Sequence, residues 1–430
     1  MMRRRAAQFA LLFLALAAGA QVFQPPTEFQ SGYTLPATPV PPPRADWLGW
    51  LDVGLLALAL ILAAWLALRK RSRPGVLLLA VGSLLYFGFY RHGCICPVGS
   101  VQNVALAMAD PGYALPVTVG LFFLLPLLCA LVVGRVFCAA VCPLGVAQEV
   151  VLLRPITVPS WLAHALGVLP FVYLGAAVLF AATGSAFLIC QYDPFVLFFR
   201  FSGSAAMLVI GIGMLLVATV IGRPYCRFLC PYGALLRLLA PLTRWPVRIT
   251  PRTCVNCTLC HDACPHGAIH PPTPEEPRPR GEGKARLVGL LLLLPVLVAA
   301  GAFLARQTSP ALARLHPTVR TAEQVSLHGA GLLAGESNAV IAFEHAAGET
   351  GILYAHARAI QRRFDRASWY WGGWIGLVIG IKLLTLALRR RRTEYTIDQG
   401  ACLACARCYP SCPVPADGPP EVAAPEGSAR

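Results

Sequence analysis

Long apolar stretches separated by short polar segments run through most of the chain. An α-helix needs about 20 apolar residues to cross the hydrocarbon core of a bilayer, and each stretch comes close to that length. The pattern therefore predicts an all-α polytopic membrane protein with about seven spans after an N-terminal signal or anchor. The predicted spans lie near residues 48–68, 75–91, 114–134, 164–187, 204–221, 287–305 and 369–388.

The N-terminus carries a targeting pattern. Arg3–Arg5 precede the apolar stretch Ala6–Ala18, and Ala18-Gly19-Ala20 has the small-x-small form of a signal peptidase site. Residues 1–20 are therefore predicted to be a signal peptide, with an uncleaved anchor as the alternative. Residues 21–46 are rich in proline and lack apolar periodicity, which predicts an outer linker.

Composition supports the membrane assignment. Hydrophobic residues make up 57% of the chain and charged residues 13%, and the mean hydropathy is +0.62. This composition excludes a soluble globule. Acidic residues are absent from the predicted span interiors apart from Asp52 near one end, which disfavours an ion or proton pump built on intramembrane carboxylates.

The net charge of +16 is unevenly distributed along the chain. If the first span starts outside, the segments predicted to lie inside hold far more lysine and arginine than the outer ones, as the positive-inside rule requires. The N-terminus is then outside after processing and the C-terminus is cytoplasmic, in a bacterial inner membrane. Basic clusters such as Arg389–Arg392 face membrane lipid in this orientation, and nucleic acid is not an expected partner.

Two cysteine runs share the spacing that wraps a [4Fe-4S] cluster. They are Cys254-x2-Cys257-x2-Cys260-x3-Cys264-Pro265 and Cys402-x2-Cys405-x2-Cys408-x3-Cys412-Pro413. In two-cluster modules the fourth cysteine of each run binds the other cluster. The spacing therefore predicts one ligand set of Cys254, Cys257, Cys260 and Cys412 and a second set of Cys402, Cys405, Cys408 and Cys264.

Two alternatives compete with this interpretation. Zinc also binds four thiolates, but its sites usually pair two short Cys-x2-Cys hairpins instead of using an unbroken run. The stretch Cys257 to His261 also matches the haem c attachment pattern, but the match is nested in the cluster run. The second run has Tyr409 at the equivalent place. We interpret the haem match as coincidental.

A second cysteine pattern recurs inside the predicted membrane domain. Two pairs with the spacing Cys-x3-Cys-Pro, each preceded by Gly-Arg, end two predicted spans on the cytoplasmic side: Cys138 with Cys142, and Cys226 with Cys230. Proline after the cysteine suits the first turn of a helix. The four thiols could hold a third cluster or a soft metal such as copper(I), or they could be reduced thiols that pack helix starts.

A related segment, His92-Gly93-Cys94-Ile95-Cys96-Pro97, falls on the opposite, outer face in this topology, as does Cys190. A disulfide among Cys94, Cys96 and Cys190 is one interpretation, and a redox-active dithiol or a metal site with His92 is the other. His164 could bind haem b, although a lone histidine at a helix end is usually interfacial.

The outer segment 306–368 is the one sizeable soluble piece, and the spacing of apolar residues from Thr350 to Phe364 predicts a helix that caps the bundle. The predicted divisions are a membrane domain with five spans at 47–250, the first cluster motif at 251–270, a linker at 271–286, two spans flanking the outer segment at 287–388, the second cluster motif at 389–415 and a disordered tail at 416–430.

The two Gly-Arg-x2-Cys-x3-Cys-Pro-x-Gly motifs together with the two cluster runs resemble the NosR/NapH-type family of membrane iron-sulfur proteins, to which FixG-type proteins are related. The resemblance covers roughly residues 48–415. It implies electron transfer between a quinol or cytoplasmic donor and a redox partner at or across the membrane. NosR-type members carry an outer flavin domain before the spans, whereas this chain has a short proline-rich segment there, so flavin is not expected.

We therefore predict a membrane electron-transfer component, and not a stand-alone enzyme, that relays single electrons through two cytoplasmic [4Fe-4S] clusters. The alternative is a metal-handling or metalloenzyme-maturation protein in which the Cys-x3-Cys pairs bind copper. In that case the clusters act as reductant or sensor. A structural or regulatory membrane protein with inert clusters is a third possibility.

Overall fold

The computed structural model describes residues 45–93, 96–201, 205–249, 254–273, 280–332, 338–345, 349–387 and 392–414. The predicted signal or anchor, nearly all of the outer linker, Cys94 and the predicted tail lie outside these residues.

The described part of the chain is mostly helical. Its helices in chain order are α1 Asp46–Ala64, α2 Arg73–Ser83, α3 Pro97–Ala109, α4 Val117–Val133, α5 Val136–Ala140, α6 Pro143–Val150, α7 Ser160–Leu166, α8 Leu169–Ala182, α9 Leu188–Tyr192, α10 Val196–Arg200, α11 Ala205–Ala218, α12 Pro224–Phe228, α13 Pro231–Leu239, α14 Leu259–Asp262, α15 Arg280–Ala313, α16 Pro317–Gly329, α17 Asn338–His345 and α18 Thr350–Ala387. Short π-helical segments, Trp65–Arg69 and Leu84–Tyr90, extend α1 and α2.

Five helical segments of the described chain are long and apolar enough to cross a membrane: Asp46–Arg69, Arg73–Tyr90, Ser160–Ala182, Ala285–Ala313 and Thr350–Ala387. Two shorter apolar helices, Val117–Val133 and Ala205–Ala218, match the third and fifth predicted stretches. Every predicted stretch therefore contains an apolar helix, while length and composition support five of them as spans.

The Cys-Pro steps begin helices, as the sequence predicted. Cys96, Cys142 and Cys230 are the N-cap residues of α3, α6 and α13, and the following proline occupies the first turn of each helix. Proline is favoured there because its fixed φ suits a helix and its missing N–H group would have no intrahelical partner. The three helices thus each present a cysteine at the N-terminus.

The last two long helices form a closely packed pair through small residues. Backbone atoms of Gly301 on α15 and Gly372 on α18 are in direct contact, and Gly376 packs against the Leu297 carbonyl. A side chain at any of these glycines would separate the helices, which is the close approach that small residues allow in membrane bundles.

The predicted outer helix is not a separate cap. Thr350–Ala387 is one continuous helix, so the segment with helical spacing after Thr350 runs directly into the last predicted span. Trp371 and Trp374 of this helix donate indole hydrogen bonds to the carbonyls of Val172 and Phe171 on α8, at 3.4 and 2.9 Å. The helix pair therefore docks on the rest of the bundle through α8.

A short antiparallel β-ladder joins the two cysteine runs. Strand β1, Ile269–His270, follows the first run, and β2, Thr396–Ile397, precedes the second, with Ile269 opposite Ile397. The Asp398 amide also donates to the Ala268 carbonyl at 2.8 Å. Segments more than 120 residues apart in sequence are thereby held side by side.

Candidate cluster and thiol sites

The eight cysteines of the two runs line two separate cavities. One cavity is lined by Cys254, Cys257, Cys260 and Cys412, and the other by Cys264, Cys402, Cys405 and Cys408. The space between the surrounding atoms, including space open to solvent, is about 350 Å³ in the first and about 390 Å³ in the second. These are the two sets that the spacing predicted to share clusters. Ligation itself stays a prediction.

The arrangement of these thiols fits a cubane better than a single metal ion. Zinc requires four sulfurs about 2.3 Å from one point. In the described part of the chain, no three histidine, cysteine or acidic side chains converge closely enough to hold one metal ion. Thiols that surround a cavity suit a [4Fe-4S] cluster, because its four iron atoms are ligated from different sides.

Both runs adopt the same unusual backbone conformation around their second cysteine. Asn256 and Thr258 flank Cys257 with φ of 52° and 67°, and Ala404 and Ala406 flank Cys405 with φ of 56° and 61°. Residues other than glycine rarely occupy this left-handed region, and they persist there where surrounding structure demands it. The matching positions indicate that both loops curl in the same way, which turns their successive cysteines toward one cavity.

The histidine of the haem c pattern has another role. His261 Nδ1 lies 2.8 Å from the Ile269 carbonyl of β1, and its ring packs beside Tyr395. In the second run, the Arg71 guanidinium stacks over the Tyr409 ring at 5.0 Å. Both residues therefore fasten their loops to neighbouring structure.

The structure brings the four membrane-domain thiols together in the core. All four thiols are buried, and Cys138, Cys142, Cys226 and Cys230 belong to one packed cluster of core residues. The two pairs come from α5–α6 and α12–α13, which meet inside the bundle. This convergence leaves a third redox or metal site and a packing role as the interpretations to distinguish.

Hydrogen-bond donors surround these sulfurs. Gln148 Nε2 lies 3.4 Å from Cys226 Sγ, the Gly233 amide lies 3.3 Å from Cys230 Sγ, and Arg135 Nη2 lies 3.9 Å from Cys138 Sγ. The Nε atom of the buried Arg135 has no hydrogen-bond partner among the described residues. Buried donors and positive charge of this kind favour negatively charged sulfur ligands.

The Gly-Arg steps before the two pairs connect them to each other and to the cysteine runs. Arg223 is fully buried and donates to the Cys138 and Ala139 carbonyls of the other pair. Arg135 donates to the Gly400 carbonyl at 2.7 Å, just before the second run. A Cβ at Gly222 would lie 2.8 Å from the Pro265 carbonyl, so only glycine allows the first run to pack there.

A single buried carboxylate joins these parts. Glu149 accepts hydrogen bonds from Arg223 at 2.9 Å, from Arg73 at 2.5 Å and from Arg407 at 2.7 Å. Burial alone raises the pKa of Glu149, but Arg223 and the other guanidiniums outweigh burial and hold that pKa well below its usual range. Because Arg407 belongs to the second cysteine run, the carboxylate ties that run to the membrane domain.

Cys96 was predicted to lie apart from the four thiols, and the structure corrects this grouping. Cys96 is within electrostatic range of Cys142 and Cys230, and also of Cys190. The N-terminus of α3 therefore reaches the same interior region as the N-termini of α6 and α13. The apolar pattern could not show this, because it assigns segments to one side of the membrane and does not tell which helices pack together.

Two further residues of the site, Glu149 and His266, were not predicted from the sequence. His266 is buried beside the second cavity, and neither ring nitrogen has a hydrogen-bond partner among the described residues. A lone acidic residue in the helix that follows a Cys-Pro step was the available signal for Glu149. His266 carried no distinct signal. His164 lines a wide cleft between the bundle and the cysteine runs, together with Cys226 and Cys264.

Comparisons with known proteins match the interior cysteine pairs and the first cysteine run to iron-sulfur domains. A model described as a 4Fe-4S binding domain matches residues 115–168 and 204–250, which contain the two Cys-x3-Cys pairs. A second 4Fe-4S binding domain model matches residues 247–270, which contain the first cysteine run. The matches support the presence of 4Fe-4S clusters and leave their number open.

Three relatives illustrate the similarity. The putative electron transport protein YccM of Escherichia coli is 28% identical over 32% of this chain and 43% of its own length. Protein NirI of Paracoccus denitrificans is 33% identical over 32% of this chain and 22% of its own length. The regulatory protein NosR of Stutzerimonas stutzeri is 26% identical over 47% of this chain and 30% of its own length.

The chain thus spans less than half the length of these three relatives, and no solved structure matches it. The relatives and the apolar helices support a membrane protein of iron-sulfur electron transfer or regulation. The domain matches and the relatives together show that this chain is similar to NosR/NirI-type 4Fe-4S membrane proteins.

Proposed function

We propose that the chain relays single electrons across a bacterial inner membrane through two cytoplasmic [4Fe-4S] clusters, between a quinol or cytoplasmic donor and a membrane or outer-face redox partner. The observation that carries this proposal is the arrangement of eight cysteines as two sets of four, each around its own cavity. A [4Fe-4S] cluster supplies one-electron transfer when bound. The chain acts in this relay as an electron-transfer component.

The residues of the chain have distinct roles in this proposal. Each cysteine run supplies three ligands to one cavity and its last cysteine to the other, so the two centres are held close together. The β-ladder and the Asp398 amide keep the runs in register. Arg73, which donates to the Cys405 carbonyl at 3.0 Å, and Arg407 hold the second loop against the membrane domain.

We further propose that Cys138, Cys142, Cys226 and Cys230 bind a third centre between the cytoplasmic clusters and the interior of the bundle. Their burial, the donors beside their sulfurs and the Arg135 nitrogen that has no partner in the described part of the chain support this assignment. The match of both pairs to a 4Fe-4S binding domain favours a cluster over copper. Arg135 and Arg223 would balance the negative charge of four thiolates in a low-dielectric site.

Metal analysis of the anaerobically purified full chain tests this proposal. We expect about 12 irons and as many acid-labile sulfides per chain, at four irons per cluster, with cubane EPR signals after dithionite reduction. Serine at all four interior cysteines should lower this to about 8 irons per chain. The matched control is Cys129→Ser, which changes another cysteine of the bundle and should leave the iron content unchanged.

Other outcomes would change the role assigned to the interior thiols or to the whole chain. Copper lost from the quadruple variant with all iron retained would support metal handling at the interior thiols. Equal iron and sulfide in the quadruple variant and the wild type, with no other metal lost, would leave these thiols as packing residues. Stoichiometric zinc with little iron would contradict the electron-transfer proposal itself.

A further inference from the structure

Two cysteines outside the proposed cluster ligands share one small structural element. Cys96 is the N-cap residue of α3, and Gly99 lies in the first turn of the same helix. A Cβ at Gly99 would lie 3.3 Å from Cys190 Sγ. The Cys190 sulfur therefore packs against the first turn of the helix that Cys96 begins, and a side chain at Gly99 would displace this sulfur by a few tenths of an ångström.

The surroundings hold Cys190 in this position. The buried Gln102 of α3 accepts a hydrogen bond from the Ile189 amide at 2.7 Å, and its Nε2 lies 3.5 Å from Cys190 Sγ. One side chain thus fixes both the backbone and the sulfur of α9. Cys190 is exposed whereas Cys96 is only partly so, which is the arrangement of an accessible attacking cysteine and a resolving cysteine behind it.

Cys96 is also the link to the interior thiols. It lies within electrostatic range of Cys142 and Cys230, whose helices start at the same place in the core. Tyr225, with 2% of its surface exposed, packs its ring against Phe195, and its phenol oxygen has no hydrogen-bond partner among the described residues. A polar atom left unpaired in such a place costs free energy and indicates a site with a role beyond packing.

The series of sulfurs continues from there to the cytoplasmic cavities. Cys226 lines the same cleft as Cys264, and Arg223 is within electrostatic range of both Cys226 and Cys405. Sulfur sites thus extend from the second cavity, through the four interior thiols, to Cys96 and the exposed Cys190.

We propose that Cys96 and Cys190 form a redox-active dithiol that reduces a disulfide-bearing substrate and would itself be reduced by electrons from the two cluster sites, relayed by the proposed third centre at the interior cysteines. This inference rests on the proposed electron-transfer function. The Cys190 thiolate attacks the substrate disulfide and releases one substrate thiol. Cys96 then attacks the mixed disulfide, releases the second thiol and leaves a Cys96–Cys190 disulfide.

The electrons balance. Two electrons and two protons from solvent convert the Cys96–Cys190 disulfide back to two thiols, and the two cytoplasmic cluster sites, when occupied, would each provide one of these electrons. A pair of one-electron centres therefore matches one two-electron substrate. The reductant of the clusters is the quinol or cytoplasmic donor of the proposed function.

Oxidised glutathione serves as the probe substrate for the dithionite-reduced full chain freed of excess reductant. We expect the reduced-cluster EPR signal to disappear as two glutathione thiols form for every two cluster electrons. Cys190→Ser should abolish this reaction with full iron content and unchanged EPR of the reduced clusters. Gly99→Ala should slow the reaction because it displaces the Cys190 sulfur.

Two matched controls sharpen the test. Cys129→Ser and Cys94→Ser should react with the probe like the wild type. Mass tagging of thiols should show two more free thiols in the dithionite-reduced chain than in the probe-oxidised chain, and this difference should vanish in Cys190→Ser.

The proposal is overturned if the clusters of the wild type and of Cys190→Ser are oxidised by the probe at the same rate, or if neither reacts. Loss of the reaction in Cys94→Ser would also overturn the pairing of Cys96 with Cys190. Each of these results leaves the proposed electron-transfer function intact, because clusters are present and reducible. Absence of clusters from the wild type would instead contradict the proposed function.

Discussion

The charge of Glu149 holds the second cysteine run against the membrane domain. Three guanidiniums, from Arg73, Arg223 and Arg407, converge on this one buried carboxylate. Removing one partner of a buried ion pair is far more costly than removing an exposed one, because an uncompensated charge stays behind. The Glu149 carboxylate therefore controls how firmly the second cysteine run is attached to the membrane domain.

Glu149→Gln should lower the stability of the folded chain by about 3–5 kcal/mol, as expected for breaking a buried ion pair. We expect faster loss of iron to a chelator and a lower melting temperature, since Arg407 loses its anchor. The matched control is Glu323→Gln, which breaks an exposed pair with Arg314 and should cost about 0–1 kcal/mol. Equal melting temperatures for the two variants would contradict this role of Glu149.

The low pKa of Glu149 predicts how its contribution to stability depends on pH. The pKa of Glu149 is lower in the folded chain than in the unfolded chain, so its stabilisation is fully present above the unfolded value of about 4.3 and is lost only as pH falls through the folded value. The difference in melting temperature between wild type and Glu149→Gln should therefore be constant from about pH 6 to pH 8. A difference that shrinks across this range would show that Glu149 titrates there.

At the scale of elements, backbone contact between α15 and α18 explains why glycines line both helices. Gly376 meets the Leu297 carbonyl and Gly380 meets the Leu294 side chain, so the two axes approach closely. In a membrane, where lipid is as apolar as the side chains, such packing is a main source of helix association. The pair in turn carries the second cysteine run, which follows α18 in sequence.

Gly376→Leu should force the helices apart at a cost of at least about 1–3 kcal/mol, the range for overpacking of a close-packed interior. We expect faster proteolysis of the α15–α18 pair and partial loss of iron, because the second run follows α18. Gly289→Leu on α15 is the matched control, since no atom lies within 4 Å of the added Cβ. Iron content and proteolysis unchanged in both variants would show that the pair does not position the run.

At the scale of the whole molecule, both cysteine runs must lie on one side of the membrane to share their ligands. The distribution of basic residues predicts that this side is the cytoplasm. Compartment-sensitive reporters placed between α16 and α17 and at the C-terminus should therefore report opposite sides, outside for the first and cytoplasm for the second. Two reporters on one side would contradict the predicted crossing of the last span.

Several features of the molecule were predictable because they are local. The apolar stretches predicted the helices, the Cys-Pro steps predicted three helix starts, and the spacing of the two runs predicted which cysteines would line each cavity. The bounds of the final helix were less accurate, because a polar outer segment and an apolar span can form one continuous helix. Helix ends depend on packing and capping as much as on hydropathy.

The sequence by itself determined the local loops on which the predicted iron-sulfur chemistry depends, because three cysteines spaced two residues apart can face one cluster only within a single tight loop. Only the tertiary structure decided that Cys96 packs against the core cluster of the interior thiols, and that Glu149 meets three arginines. The partners in these contacts come from segments tens to hundreds of residues apart. Their meeting depends on how the helices pack, and no periodicity or spacing along the chain records it.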